Sequence, residues 1–158
     1  MSRATRTRLG IASALAMVAA GGAVTAAGAT SQHDGGGHVI HFTTKQAHQS
    51  LIDHGTPGFG LDDVVVYSND LYQHGTKIGE DGGTCTVVRV TEGGSATMHC
   101  VGNNTLPDGQ IAVQGFAAPG EPFELGITGG TGRYRTARGQ AVGHNTSPTE
   151  MDIKLILR

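Results

Sequence analysis

Two pairs of polar residues stand at alternate positions in predicted strands, and their side chains are of the types that proton-transfer chemistry uses. His41 and Thr43 form the first pair, and Tyr67 and Asn69 form the second. Successive side chains of a strand point to opposite faces, so each pair shares a face, which we expect to be an interior one. An imidazole titrates at about pH 6.5, so His41 is a candidate acid or base; the alternative is a structural hydrogen bond.

Two other motifs that could carry chemistry are excluded by their surroundings. His33, His38 and His41 lie in a glycine-rich segment, whereas a zinc site needs several ligands held in place by a supporting shell. We therefore predict no metal, and we predict no cofactor. The glycine-rich segment 129–133 lacks the Gly-Lys-Ser/Thr sequence and the following helix of a phosphate loop, so we predict a tight strand connection there.

The two cysteines, Cys85 and Cys100, are predicted to form a disulfide. Strand-like residues lead away from Cys85 and back towards Cys100, and a two-residue loop at Glu92-Gly93 would place the cysteines directly opposite each other. In a directly opposed pair of residues that is not hydrogen-bonded, the Cα atoms lie about 4.5 Å apart, and a disulfide can bridge that distance. The alternative is a pair of inert buried thiols.

The N-terminus has the pattern of a secretory signal. Three arginines precede an apolar stretch that begins at Leu9, and small residues then lead to Ala29. A basic start, an apolar run of about 7–15 residues and a small-residue end are typical of a signal peptide, and this Ala-rich version indicates a bacterial protein. The apolar run is too short to span a membrane. We therefore predict a secreted, extracellular protein without a membrane span in its mature part.

Cleavage after Ala29, or alternatively after Ala26, would leave one acidic domain. The predicted boundaries are 1–29 for the signal, 30–37 for a flexible arm and 38–158 for the domain. The chain has 11 basic and 13 acidic residues, and the signal carries three of the basic ones. Nucleic-acid-binding domains have the opposite balance, so nucleic acid is excluded as a partner.

The domain is predicted to be all-β. Short segments of alternating or β-branched residues recur about every 10 residues, separated by turns such as Pro107-Asp108-Gly109. One segment, Lys45 to Ile52, differs, and there we expect one or two helical turns. About eight strands in this pattern indicate a sandwich or a barrel, and eight strands close around side chains or one small ligand.

Five segments resemble the allene oxide cyclases, whose barrel the dirigent proteins share. In chain order, they are residues 63–72, 82–88, 109–115, 125–132 and 139–142. The resemblance extends from about His38 to Leu157 and implies an eight-stranded antiparallel β-barrel with a ligand-sized interior. It also implies a homotrimer, since plant members of both families are trimers.

The resemblance further implies roles for single residues. Asn69 falls where the cyclases have an Asn that positions a water, and Cys85 stands where they have a cysteine. His41 is the nearest match to their first-strand Glu, and Thr43 replaces an Asn. The predicted catalytic residues are therefore His41 and Asn69, with a Glu of the family missing.

The aromatic cavity residues of the family fall near Thr97 or Met98 and near Phe116 or Ala117. From these positions and the alternating polar pairs, we predict a cavity lined by Thr43, Tyr67, Met98 and Phe116.

Three functions remain open at this point. The first is a secreted barrel that binds a small apolar molecule and orients it, as dirigent proteins do. The second is an isomerase or cyclase acting on a lipid or secondary metabolite, with Asn69 positioning a water and His41 supplying acid or base. The third is a structural or inhibitory protein that acts through its surface.

Overall fold

Eight antiparallel strands close into a barrel in chain order, so that the first strand also pairs with the last. The computed structural model describes residues 37–55 and 57–158; the predicted signal and all but the last residue of the predicted arm lie outside them. A single turn of 3-10 helix, Gly132–Tyr134, follows β6. The predicted all-β antiparallel barrel is confirmed. The strands are β1 (His38–Ile52), β2 (Val64–Gln73), β3 (Thr76–Val90), β4 (Ala96–Leu106), β5 (Gly109–Ala117), β6 (Phe123–Gly130), β7 (Gly139–Ser147) and β8 (Glu150–Leu157).

Each strand has an interior and an exterior face. Along β4, buried residues alternate with more accessible ones from end to end, and the inward side chains include Met98, Cys100 and Asn104. This alternation is the period of two that a strand imposes on its side chains. Within the described part of the chain, no helix is long and apolar enough to cross a membrane.

One half of the interior is filled by apolar side chains. Phe42, Leu71, Ile111 and Leu155 are at most 2% exposed. Leu71 and Ile111 lie close to the β2–β3 and β4–β5 turns, which an antiparallel barrel places at the same end. Full burial of such a side chain stabilises the fold by about 1.5–3 kcal/mol. We call this the closed end.

The opposite end, called here the open end, carries the connections that follow β1, β3, β5 and β7. The longest of them follows β1 and is held together by the buried carboxylate of Asp63. The backbone N–H groups of His54 and Gly60 donate to its two oxygens at 2.9 and 2.6 Å. These hydrogen bonds favour the charged form and lower the pKa of Asp63 below its usual value.

Two local predictions are wrong. Lys45 to Ile52 is not helical; it continues β1, with Ser50 opposite Val66, after a bulge at Ala47. The extra residue of a bulge breaks the alternation of side chains along the strand, which hides the strand from a pattern search.

The connection between β3 and β4 is also longer than the predicted two-residue loop. The last partners before it are Val90 and Ala96, and Val88 forms a bulge. Because the bulge offsets the longer loop, Cys85 still lies opposite Cys100, as predicted.

Candidate ligand-binding site

The open half of the barrel encloses a cavity of about 340 Å³. Its walls are largely apolar, and Phe59 and Pro119 from the open-end loops stand at its mouth. This volume lies in the range of about 300–1,000 Å³ that small-molecule pockets occupy. The apolar side chains that contact it include Val65, Met98, Val113, Phe123 and Ile153.

A polar pair lies in the wall of this cavity. Asn69, which is 5% exposed, stands opposite Asp81 across β2 and β3, and its Nδ2 donates to the Asp81 Oδ1 at 2.7 Å. Burial raises the pKa of Asp81 to about 6, although hydrogen bonds from Asn69 partly offset the rise. A carboxyl group with this pKa can both release and accept a proton near neutral pH.

Tyr67 lies beside this pair, two residues before Asn69 on the same face of β2. Burial, with a contribution from the negative charge of Asp81, raises the pKa of the Tyr67 hydroxyl to about 12. The ring lies over Gly83 and Gly102, and a Cβ atom on Gly102 would stand 2.6 Å from the Tyr67 Oη. The absence of side chains at these two glycines therefore makes room for the tyrosine.

The predicted disulfide is present and also contacts the cavity. Cys85 and Cys100 are joined with their Cα atoms 4.0 Å apart, and both residues line the cavity wall. Because the bond joins β3 to β4 beside Tyr67 and Met98, it fixes the spacing of two strands that carry lining residues.

His41 and Thr43 do not face the cavity. Both side chains are exposed, whereas Phe42 and Thr44, which alternate with them along β1, are buried. The His41 Nε2 lies 2.7 Å from the Asp152 Oδ2, with half of the imidazole accessible to solvent. The physical reason is that one face of β1 must fill the interior, and burial of the Phe42 ring outweighs that of a polar pair.

The four predicted cavity residues are therefore divided between the two faces. Tyr67 and Met98 line the cavity. Phe116 is 65% exposed on the outer face and packs edge-on against His99, with ring centroids 5.7 Å apart. Its neighbour Ala117 contacts the cavity, as does Val113 on the same strand.

Asp81 is a polar cavity residue that the sequence pattern did not predict. A regular hairpin through the turn after Gln73 would place Glu80 opposite Asn69, but a bulge at Ile78 moves the register by one residue. The hydrogen-bonding capacity of Asn69 was the available signal, because a buried amide requires a partner. Among the described residues, no group of three or more His, Cys, Asp or Glu side chains is arranged to hold a metal.

Solved structures with a similar fold include three with different activities. A pyocyanin demethylase is 28% identical, with a TM-score of 0.71 over 77% of this chain and 100% of its own. AbnU, an exo-specific intermolecular Diels-Alderase, is 18% identical, with a TM-score of 0.64 over 78% of this chain and 98% of its own. A pterocarpan synthase dirigent protein is 17% identical, with a TM-score of 0.63 over 77% of this chain and 86% of its own.

The family itself is identified from the sequence. No curated protein matches the chain. The family model of the allene oxide cyclase barrel like domain matches residues 37–156, which include all of β1 to β7 and all but the last residue of β8. The resemblance seen in the sequence is thereby confirmed: the chain belongs to the allene oxide cyclase barrel-like family.

Proposed function

We propose that this protein binds a small, largely apolar molecule inside the barrel and orients it against the Asn69–Asp81 pair. The cavity of about 340 Å³ is the observation that carries the proposal, because its apolar walls meet convergent polar groups on one side. Such a lining holds a ligand by burial of apolar surface, while the few polar groups fix its orientation. The similar demethylase supports the proposal, since its name gives pyocyanin as its substrate.

The binding proposal is tested by filling the cavity. Ala117→Trp places an indole in the open half of the interior, whereas Gln114→Trp places one on the exposed face of the same strand. Native mass spectrometry of the protein purified from its own producer measures any retained small molecule. The proposal expects a ligand on the wild type and on Gln114→Trp, and none on Ala117→Trp. Equal retention by both variants would contradict it.

An isomerase or cyclase is the second candidate function, and the raised pKa of Asp81 favours it. A group with a pKa of about 6 is suited to proton transfer at neutral pH, and Asp81 reaches the cavity directly. The role proposed above for His41 passes to Asp81 in this alternative, because His41 lies on the outer face. Incubation of the retained ligand with wild type and with Asp81→Asn tests it: conversion by the wild type alone is expected.

We also propose that the protein acts outside the cell. The disulfide supports an oxidising compartment, and the predicted signal supports export. Mass spectrometry of the protein from culture medium tests this proposal. A chain that begins near residue 30 is expected, and a full-length chain confined to the cytosol would contradict it.

The homotrimer implied by the resemblance remains a proposal as well. Val88, Val101 and Phe116 are exposed apolar side chains on neighbouring strands, and such a patch favours association. Sedimentation of the wild type and of Phe116→Lys tests whether this face is an interface. A trimer that dissociates in the variant is expected, and a monomeric wild type would contradict the proposal.

A further inference from the structure

The charged groups around the cavity are all of one sign. Among the described residues that line it, three carry a carboxylate, namely Asp81, Glu121 and Glu150, and none is a Lys, Arg or His. An apolar cavity with only negative groups creates a negative potential inside, which low-dielectric walls strengthen. The lining therefore discriminates between ligands by the sign of their charge.

Asp81 lies deepest of the three and has no cationic partner among the described residues. Asn69 donates hydrogen bonds to it, and the phenol of Tyr67 lies close enough for the negative charge of Asp81 to raise its pKa. Ionised carboxylates withdrawn from water are usually paired with a positive charge. A cation bound in the cavity would supply the pair that the barrel itself leaves open.

The two remaining carboxylates stand at the mouth. Glu150 is partly compensated, because the Lys45 Nζ lies 3.4 Å from its Oε1 outside the cavity. Glu121 is exposed on the β5–β6 loop, and none of the salt bridges within the described residues includes it. A positive ligand would therefore meet a favourable field both at the mouth and inside.

The outer face behind Asp81 does not reverse this field. Asp70 and Glu80 lie on the outside of β2 and β3, next to the same wall. Lys77 pairs with Asp70, at 2.7 Å between Nζ and Oδ1, which leaves Glu80 as an additional negative charge.

We infer that the interior cavity selects a small apolar organic cation over a carboxylate of the same shape. This inference rests on the proposed binding function and adds the chemical class of the ligand. Apolar walls hold the hydrocarbon part, and the Asn69–Asp81 pair faces the positive group. A ligand carboxylate would stand against Asp81 without any positive side chain from the described residues to separate the two charges.

Three probes with one shared ring system test the inference. Naphthylmethylammonium, naphthalenemethanol and naphthoate differ in charge but hardly in shape, and calorimetry at about pH 7.5 and low salt measures their affinities. The ammonium is expected to bind at least about tenfold more tightly than naphthoate, because opposite and like charges act at short range in a medium of low dielectric constant. Naphthoate binding as tightly as the ammonium would overturn the inference while leaving the binding function intact. If none of the probes binds, the proposed function fails, and this inference fails with it.

Single substitutions test which side chains cause the preference for the ammonium probe. Asp81→Asn is expected to weaken ammonium binding about fivefold or more and to change the affinity for naphthalenemethanol by less than about twofold. Glu121→Gln, on an exposed loop where folding is not at risk, is expected to weaken only the ammonium, by a smaller factor. Gln114→Ala, on the outer face of β5, is the control and should leave all three affinities unchanged. Unchanged ammonium binding in both acidic variants would overturn the inference.

Discussion

Replacement of Asp81 with Asn is expected to stabilise the folded barrel at neutral pH. The pKa of Asp81 rises from 3.8 to about 6 on folding, mainly because burial disfavours the ionised form. The folded state therefore holds this proton more tightly than the unfolded state does. The tighter binding of this proton stabilises the folded state to its full extent below about pH 4, and this stabilisation is lost as the pH rises through 6.

The size of the effect follows from the pKa difference. Each unit corresponds to about 1.4 kcal/mol, so a rise from 3.8 to about 6 makes the ionised carboxylate destabilising by about 3 kcal/mol at neutral pH. Asn has the same shape without the charge, but its amide also loses hydration on burial. We therefore expect Asp81→Asn to increase the free energy of unfolding by about 1–3 kcal/mol.

Urea unfolding measured at several pH values between 4 and 7.5 tests the reasoning. The gain in Asp81→Asn should be largest at the highest pH and shrink steadily as the pH approaches 4. Glu124→Gln, on the exposed face of β6, is the matched control and should change stability by less than about 0.5 kcal/mol throughout. A loss of stability at pH 7.5, or a gain that does not depend on pH, would refute the argument.

Three further predictions concern the elements that hold the site. Asp63→Asn should lower stability at neutral pH, because the carboxylate accepts two backbone hydrogen bonds. Folding lowers the pKa of Asp63, so its carboxylate stabilises the folded state above about pH 4. This stabilisation is lost as the pH falls through the folded-state pKa, and wild type and variant should therefore become equally stable in acid. Gly102→Ala should destabilise the barrel by about 1–3 kcal/mol, because the added Cβ atom meets the Tyr67 hydroxyl. The loss should be smaller in a Tyr67→Phe background, and additive losses in the double-mutant cycle would contradict the contact. The Cys85–Cys100 disulfide closes a loop of 15 residues, and its removal should lower the free energy of unfolding by about 3 kcal/mol. Equal urea midpoints with and without reductant would show that the bond contributes nothing to stability.

The fold could be predicted because its signals are local. Turn residues mark where most strands end, and Gly109 shows the mechanism: its φ of 139° is open to glycine but not to most other residues. The order of eight short strands then restricts the architecture to a barrel or a sandwich. The resemblance to a known barrel family decided between the two.

Register could not be predicted at the bulges, because counting residues cannot reveal an extra one. Bulges occur at Ala47, Ile78, Val88, Thr128 and Thr146. The first hid the second half of β1, and the second placed Asp81 rather than Glu80 opposite Asn69. Only long-range pairing of whole strands determines where such residues fall.

The interior face of β1 was also assigned wrongly. The alternation of His41 with Thr43 was correct, but alternation alone does not say which of the two faces is buried. Phe42 and Thr44 alternate equally well. Once β1 is part of the closed barrel, burial of the apolar Phe42 ring determines that this face is the interior one.

A single-tryptophan titration measures whether the barrel binds a small apolar molecule in its interior. The protein has no Trp, so Phe123→Trp places a single tryptophan on the cavity wall, and Phe116→Trp places one on the outer face. On titration with naphthalenemethanol, binding in the interior should give a saturable change in Trp emission for Phe123→Trp and none for Phe116→Trp. No change in either variant, or the same change in both, would contradict binding in the interior.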